Sequence, residues 1–263
     1  MNTFKNETIL CPDCGRPIKR RQVQCGDIVH QFGLECSCAE EKRKRAQERG
    51  RQIIRDNARY TAGLGKRTAK ARFDNFNPDD GQREALQISR SFVQKYISGE
   101  NDGSGLLLVG GVGSGKTHLA AAIANAVIDC ANIPDNFAER AGMGGAGSET
   151  VYTGVLFVGT VELMERLRAE YNSAQDESGS IDRYQNVRLL ILDDLCAEKP
   201  SEWVRERLFQ IIDHRYSEEL PIVITTNETP DRLQQKLGDR ITDRLRAMCY
   251  CVPICSKSHR KTL

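Results

Sequence analysis

The octet Gly110-Gly111-Val112-Gly113-Ser114-Gly115-Lys116-Thr117 fits the spacing G-x-x-x-x-G-K-[ST] at every fixed position. In a chain of 263 residues a chance match is about a one-in-a-hundred event. Such an octet works only between two particular elements. An apolar strand, here Leu106-Leu107-Leu108-Val109, must deliver it, and a helix, here the Ala-rich run Thr117 to Cys130, must leave from it. Glycines let consecutive backbone N–H groups turn inward around phosphate oxygens, at the positive end of that helix. Gly110, Gly111, Val112, Gly113, Ser114, Gly115, Lys116 and Thr117 therefore read as the phosphate-binding residues for ATP. Lys116 serves the β- and γ-phosphates and the Thr117 hydroxyl serves Mg²⁺. His118 joins this set by position, with simple packing as its other reading and no catalytic role.

Four further short apolar runs, Val155 to Val158, Arg188 to Leu192, Ile222 to Thr225 and Met248 to Val252, each end in polar or turn residues. Helical stretches alternate with them. In Gln82 to Ile97, for example, Ala85, Leu86, Ile88, Phe92, Val93 and Tyr96 recur at helical spacing. This alternation specifies an α/β fold, a parallel sheet with flanking helices. Asn132 to Glu149 and Asn172 to Ser180 interrupt it and read as surface loops.

A phosphate loop needs an acidic partner at the end of a buried strand, and Arg188-Leu189-Leu190-Ile191-Leu192-Asp193-Asp194 supplies one. Asp193 reads as the magnesium-side carboxylate with Thr117. Asp194 stands where a water-polarising group belongs, with a helix cap or turn as its alternative. Ile224-Thr225-Thr226-Asn227 ends the next strand in polar side chains, of which Asn227 is the candidate γ-phosphate or water contact. Lys116, Asp193, Asp194 and Asn227 then make a P-loop ATPase, one whose hydrolysis is slow if the shorter carboxylate at 194 is less effective.

Ahead of this core lies a region of different composition. Five of the ten cysteines fall between Cys11 and Cys38, while Cys130, Cys196, Cys249, Cys251 and Cys255 are scattered and read as packing. Cys11-Pro12-Asp13-Cys14 and Cys36-Ser37-Cys38 form two thiolate pairs separated by 21 residues, which suits a tetrahedral Zn²⁺ held between two hairpin-like knuckles. Gly15 permits the tight turn after the first pair. Cys25 or His30 is the alternative for one ligand, and metal-free thiols are the remaining reading. A redox role lacks the flanking strand and helix that it needs. Residues 1–38 thus form a small zinc-binding module, 39–72 a basic helical linker and 73–263 the ATPase domain. From Ala39 to Arg72 the chain carries 12 Lys/Arg against 4 Asp/Glu, which favours an acidic partner or else a solvated helix face. No run reaches the roughly 18 apolar residues of a membrane helix, and the N-terminus lacks the apolar core of a signal peptide. A cytoplasmic protein with no membrane contact is expected.

Phe73 to Val252 resembles the bacterial replicative helicase-loader family of the DnaC and DnaI type, and its relative, the IstB-type ATPase that assists transposition. The residues that carry the likeness are the phosphate loop with its continuation His118 to Asn125, Leu189 to Leu195, Leu208 to Asp213 with Arg215-Tyr216, Leu220 to Asn227, and Leu237 to Arg240 with Asp243-Arg244-Leu245. The resemblance implies an AAA+ core that binds the hexameric replicative helicase and, using ATP, delivers it to single-stranded DNA in replication. It also implies self-assembly, with an arginine between Gly238 and Leu245 reaching a neighbouring subunit's ATP. Arg244 is the first candidate and Arg240 the second, against a plain surface salt bridge. Several loaders carry a zinc-binding N-terminal module, in agreement with the cysteines. Two other functions stay open: an IstB-like transposition helper acting on double-stranded DNA, and a nucleotide-binding adaptor with little hydrolysis.

Overall fold

In the computed structural model of the protein, the five apolar runs lie side by side as one parallel sheet. The structure describes residues 3–25, 28–33, 36–131, 154–171, 177–196 and 200–255. These fall into two compact units that divide between Ile54 and Arg55.

The first unit is an antiparallel sheet of β1 (Thr3–Leu10), β2 (Pro17–Cys25) and β3 (Ile28–Gly33), in that order, followed by the start of helix α1 (Ser37–Thr61). Pairing of Leu10 with Pro17 leaves residues 11–16 as the hairpin loop. The cysteine spacing points to two knuckles in this head but not to a sheet. Its strands carry mostly polar residues, TFKNETIL and PIKRRQVQC, so no apolar alternation marks them. The backbone ladder forms nonetheless.

The second unit holds β4 (Gly105–Gly110), β5 (Val155–Gly159), β6 (Leu189–Leu195), β7 (Ile222–Thr226) and β8 (Cys249–Ile254) in the order β5-β6-β7-β4-β8, every pair parallel. Its helices after α1 are α2 (Arg83–Ser98), α3 (Lys116–Cys130), α4 (Thr160–Tyr171), α5 (Glu177–Asn186), α6 (Glu202–Ser217), α7 (Pro230–Leu237) and α8 (Asp239–Met248). Successive strand residues point to opposite faces. Leu106, Leu108, Leu189 and Ile191 therefore pack against α2 and α3, while Leu107, Leu190 and Leu192 pack against α4, α6 and α8. Both faces are covered, which is why the strands read as continuous apolar runs. At about 1.5–3 kcal/mol for each fully buried Leu or Ile, β6 outweighs any single polar contact of the site. Its end can therefore carry a part-buried carboxylate.

Helix α3 lies deep because four alanines between Leu119 and Asn125, Ala120, Ala121, Ala122 and Ala124, bring it close to the sheet with no exposed surface. The last turns of α1 belong to this unit. Arg59 is buried, donates to Asn125 Oδ1 at 2.9 Å and pairs with Asp56 and Asp129. It is therefore removed from the exposed charge of the basic stretch.

Two expectations need correction. The loop expected over Asn172 to Ser180 gives way to α5 from Glu177, because buried Tyr184 and part-buried Ile181 anchor a helix that Ser178-Gly179-Ser180 does not advertise. Residues 172–176, like the other expected loop, Asn132 to Glu149, lie outside the described residues. Of the scattered cysteines, Cys196 is buried and Cys249 packs on the core. Cys130, Cys251 and Cys255 are exposed, at the end of α3 and on or beyond edge strand β8.

Candidate functional site

The loop between β4 and α3 closes around its own lysine. Lys116 Nζ donates to Gly110 O and Gly111 O, both at 2.8 Å, and to Asn227 Oδ1 at 2.8 Å. With only 6% of its surface exposed, this ammonium is desolvated and aimed into the loop, as a group that neutralises phosphate must be. Gly115 has φ +93°, and a Cβ there would stand 2.7 Å from the Phe76 ring, so no other residue fits.

Asp193 and Asp194 occupy a register irregularity between Leu192 and Leu195, where β6 is bulged against β7. Asp194 has φ +59°, and this left-handed turn separates the two carboxylates by direction. Asp193 accepts from Thr117 Oγ1 at 2.9 Å and from Thr225 Oγ1 at 2.6 Å. Burial pushes the Asp193 carboxyl above its ordinary range, while hydrogen bonds from Thr225 and Thr117 oppose that rise. Thr117 and Asp193 thus offer adjoining hard oxygens in a place where a divalent cation would offset desolvation, and the pair fits Mg²⁺. Asp194 accepts from Asn227 Nδ2 at 3.0 Å. The structure therefore brings Lys116, Thr117, Asp193, Asp194 and Asn227 together around one cleft of about 570 Å³.

The far wall of that cleft is the segment before α2, including Arg67, Thr68, Asn75 and Phe76. His118 lines the cleft, lies 5.2 Å from the Phe76 ring centroid, and shares a 3.0 Å hydrogen bond between Nε2 and Arg72 O. Its ring holds this wall as well as facing the cleft. Asn125 Nδ2 donates to Thr68 O and Ala71 O, each at 2.9 Å, and fixes the wall from α3. Phe76 and Asn125 carry no functional signal in the sequence. Thr225 lies in the polar strand end that the sequence marks, two residues before Asn227.

In the first unit the Sγ atoms of Cys11, Cys14, Cys36 and Cys38 all lie within 4.8 Å of one another. Cys11 and Cys38 are 3.5 Å apart, as are Cys14 and Cys36. Tetrahedral ligation at about 2.3 Å requires sulfur spacings near 3.8 Å, so the cluster fits a metal ion. The first pair occupies the β1–β2 hairpin loop, closed by Cys11 N to Arg16 O at 2.8 Å. The second pair corrects the expectation of two hairpins, because Cys36 precedes and Cys38 lies within the first turn of α1. One turn of helix brings these two thiols to the site, which explains the single intervening residue. The Asp13 backbone amide draws the Cys11 thiol down to about 7, toward the ligating thiolate form. Arg16 locks the two knuckles together through Ser37 at 3.0 Å and both Glu41 oxygens at 3.0 and 2.9 Å. The side chains of Cys25 and His30 lie outside the described residues.

Arg244 and Arg240 do not line the cleft. Arg244 donates from Nε to Asp213 Oδ1 at 2.7 Å with its guanidinium over Tyr216, and Arg240 lies over the Phe209 ring at 4.4 Å. Both cover α6 from α8. Arg215, in contrast, is fully buried and structural. It donates to Tyr184 O, Gln185 O and Val187 O at the end of α5 and to Pro221 O before β7.

A parallel five-stranded sheet in this order, with a phosphate loop after β4 and polar strand ends at β6 and β7, defines a P-loop nucleotide-binding fold of the AAA+ type. A family model described as IstB-like ATP binding protein matches residues 143–263. The replicative helicase loader DnaC of Escherichia coli strain K12 is 26% identical over 212 residues, covering 80% of this chain and 74% of that protein. The replicative helicase loader DnaI of Bacillus subtilis strain 168 is 29% identical over 168 residues, 62% of this chain and 46% of that protein. A crystal structure of the DnaC helicase loader superposes with a TM-score of 0.57 at 28% identity, over 72% of this chain and 99% of that one. The chain is homologous to the DnaC and DnaI helicase loaders and is built on the same core.

Proposed function

We propose that this protein is an ATP-dependent loader that delivers the hexameric replicative DNA helicase to single-stranded DNA in the cytoplasm. The observation that supports it most is the convergence of Lys116, Thr117, Asp193 and Asn227 on one cleft in a chain homologous to helicase loaders. In this reading the phosphates of ATP lie in the amide cradle of Gly111 to Gly115, and Lys116 exchanges its loop carbonyls for phosphate oxygens. Thr117 and Asp193 hold Mg²⁺, which supplies charge neutralisation on those phosphates. Asp194 takes a proton from the attacking water and Asn227 orients it, so hydrolysis depends on positioning rather than on a strong base. The shorter Asp194 makes turnover slow, as befits a timing device.

Cys11, Cys14, Cys36 and Cys38 hold zinc and so fold the module that grips the helicase, since a sheet of three short polar strands has little core of its own. Arg244, with Arg240 as second candidate, completes the ATP site of a neighbouring subunit. The exposed arginines and lysines of α1 meet the acidic partner, DNA or helicase.

The test is capture of the purified hexameric replicative helicase by the full chain, with and without ATP, beside Lys116→Ala. A complex that needs ATP and is lost with Lys116→Ala is expected. No complex in any nucleotide state overturns the proposal. Equal phosphate release by wild type and Lys116→Ala would instead favour the adaptor reading, and ATPase stimulation confined to double-stranded DNA the transposition helper.

A further inference from the structure

Gln82, the residue before α2, is fully buried beside the phosphate loop, among the residues that line the cleft. Its Nε2 donates to Ser114 O at 2.8 Å, and its Oε1 accepts from Asp79 N at 2.9 Å, so the amide cannot turn without losing a bond. We propose that Gln82 is the positioning residue that holds the Ser114–Gly115 peptide with its N–H facing the phosphates. The inference rests on reading this loop as the phosphate site.

A trans peptide is planar, with its C=O and N–H pointing in opposite directions. Fixing Ser114 O outward on Gln82 therefore fixes the Gly115 N–H inward, toward the mouth of the cradle. Gly115 makes such a lock necessary. As a glycine at φ +93° it tolerates either sign of φ, so nothing in its own stereochemistry stops the peptide from flipping. A flipped peptide would present the Ser114 carbonyl oxygen to the phosphates and replace an attraction with a repulsion. The neighbouring peptides have other anchors. Ser114 N donates to Gly111 O at 3.3 Å, and Gly115 O accepts from Leu119 N at 3.0 Å as the helix begins. Gln82 anchors the one peptide plane between them. Phe76, part of the cleft wall, packs against Gly115 beside Gln82.

Two variants of the full chain separate this role from general stability. Gln82→Glu keeps the shape and the acceptor for Asp79 N–H but, when ionised, cannot donate to Ser114 O. Gln82→Met removes both bonds at similar volume. Ser89→Ala is the control, since Ser89 is buried in the same helix and donates only to Ala85 O. Dissociation constants for Mg-ATP and for inorganic Mg-tripolyphosphate are read by calorimetry, and unfolding midpoints are taken without ligand. Both Gln82 variants should weaken ATP and tripolyphosphate by the same factor, about tenfold or more, and Ser89→Ala should leave both constants unchanged. Wild-type affinity in the Gln82 variants overturns the inference. Loss of ATP with tripolyphosphate spared also overturns it, as does an equal loss in a Ser89→Ala protein of similar midpoint. If wild type itself binds neither ligand, the phosphate reading fails rather than the role of Gln82.

Discussion

Lys116 Nζ donates to Asn227 Oδ1 at 2.8 Å, across the cleft from the first turn of α3 to the end of β7. The same amide donates from Nδ2 to Asp194 Oδ1 at 3.0 Å. A cation, an amide and a carboxylate from three elements are thus linked in a row. The amide is oriented by its neighbours at both ends, so a change in what Lys116 holds is felt at Asp194 through one residue. This makes Asn227 a reporter of the phosphate site as well as part of it.

Asp194→Asn tests the far end of that row. The new side chain keeps a carbonyl for Asn227 Nδ2 and removes the group that accepts a proton from water. Phosphate release should fall about a hundredfold or more, while ATP affinity stays within about twofold. Single-turnover hydrolysis beside calorimetric titration distinguishes the two effects. Unchanged hydrolysis would assign Asp194 to turn geometry, in keeping with its φ of +59°.

The cysteine cluster makes a metal prediction. Full-length protein purified without chelator should carry about one zinc ion per chain, and cobalt exchanged into it should give the visible spectrum of tetrahedral thiolate ligation. Cys38→Ser should lose both signals. Metal content by atomic emission with unchanged Cys38→Ser stoichiometry would show that the ion sits elsewhere.

Most of the second unit was legible in the sequence, because its strands are buried on both faces and its phosphate loop dictates strand, turn and helix in order. Leu106 to Val109 and Thr117 to Cys130 fall where the octet requires them. The strands of the first unit were not legible, since a sequence such as PIKRRQVQC has no apolar alternation and its pairing is through the backbone. Within the site, residues whose chemistry is fixed by the motif were visible. Gln82 and Asn125 act by holding backbone from distant parts of the chain, and such contacts leave no local spacing to read.

Arg215 is such a distant tie, and it carries a stability prediction. Its guanidinium satisfies carbonyls of Tyr184, Val187 and Pro221 at 3.0, 2.7 and 2.6 Å with no solvent access. Arg215→Met fills much of the space and removes these bonds, leaving Pro221 O only its 3.4 Å bond from Leu190 N, at about 1–3 kcal/mol for each oxygen left unpaired. A loss of roughly 3–5 kcal/mol in urea unfolding is expected. The chain's single tryptophan, Trp203, packs on the same core cluster and gives the fluorescence signal. A loss below about 1 kcal/mol would mean that water replaces the guanidinium.

Arg244 tests whether the ATP site is shared between subunits. In one chain its Nε is held by Asp213 and its guanidinium stacks on Tyr216, away from the residues lining the cleft. If it serves a neighbour's ATP, Arg244→Ala and Lys116→Ala should each be inactive alone for different reasons. The first has an intact phosphate loop without an incoming arginine, and the second has the arginine without a loop. Mixing them should restore hydrolysis, because each Lys116→Ala chain can offer Arg244 to an Arg244→Ala neighbour, and recovery should rise with total protein concentration. Activity of the mixture equal to the sum of its parts would confine Arg244 to the ion pair with Asp213. Should Arg240→Ala replace Arg244→Ala as the variant that is complemented, the role passes to the arginine one turn earlier on α8.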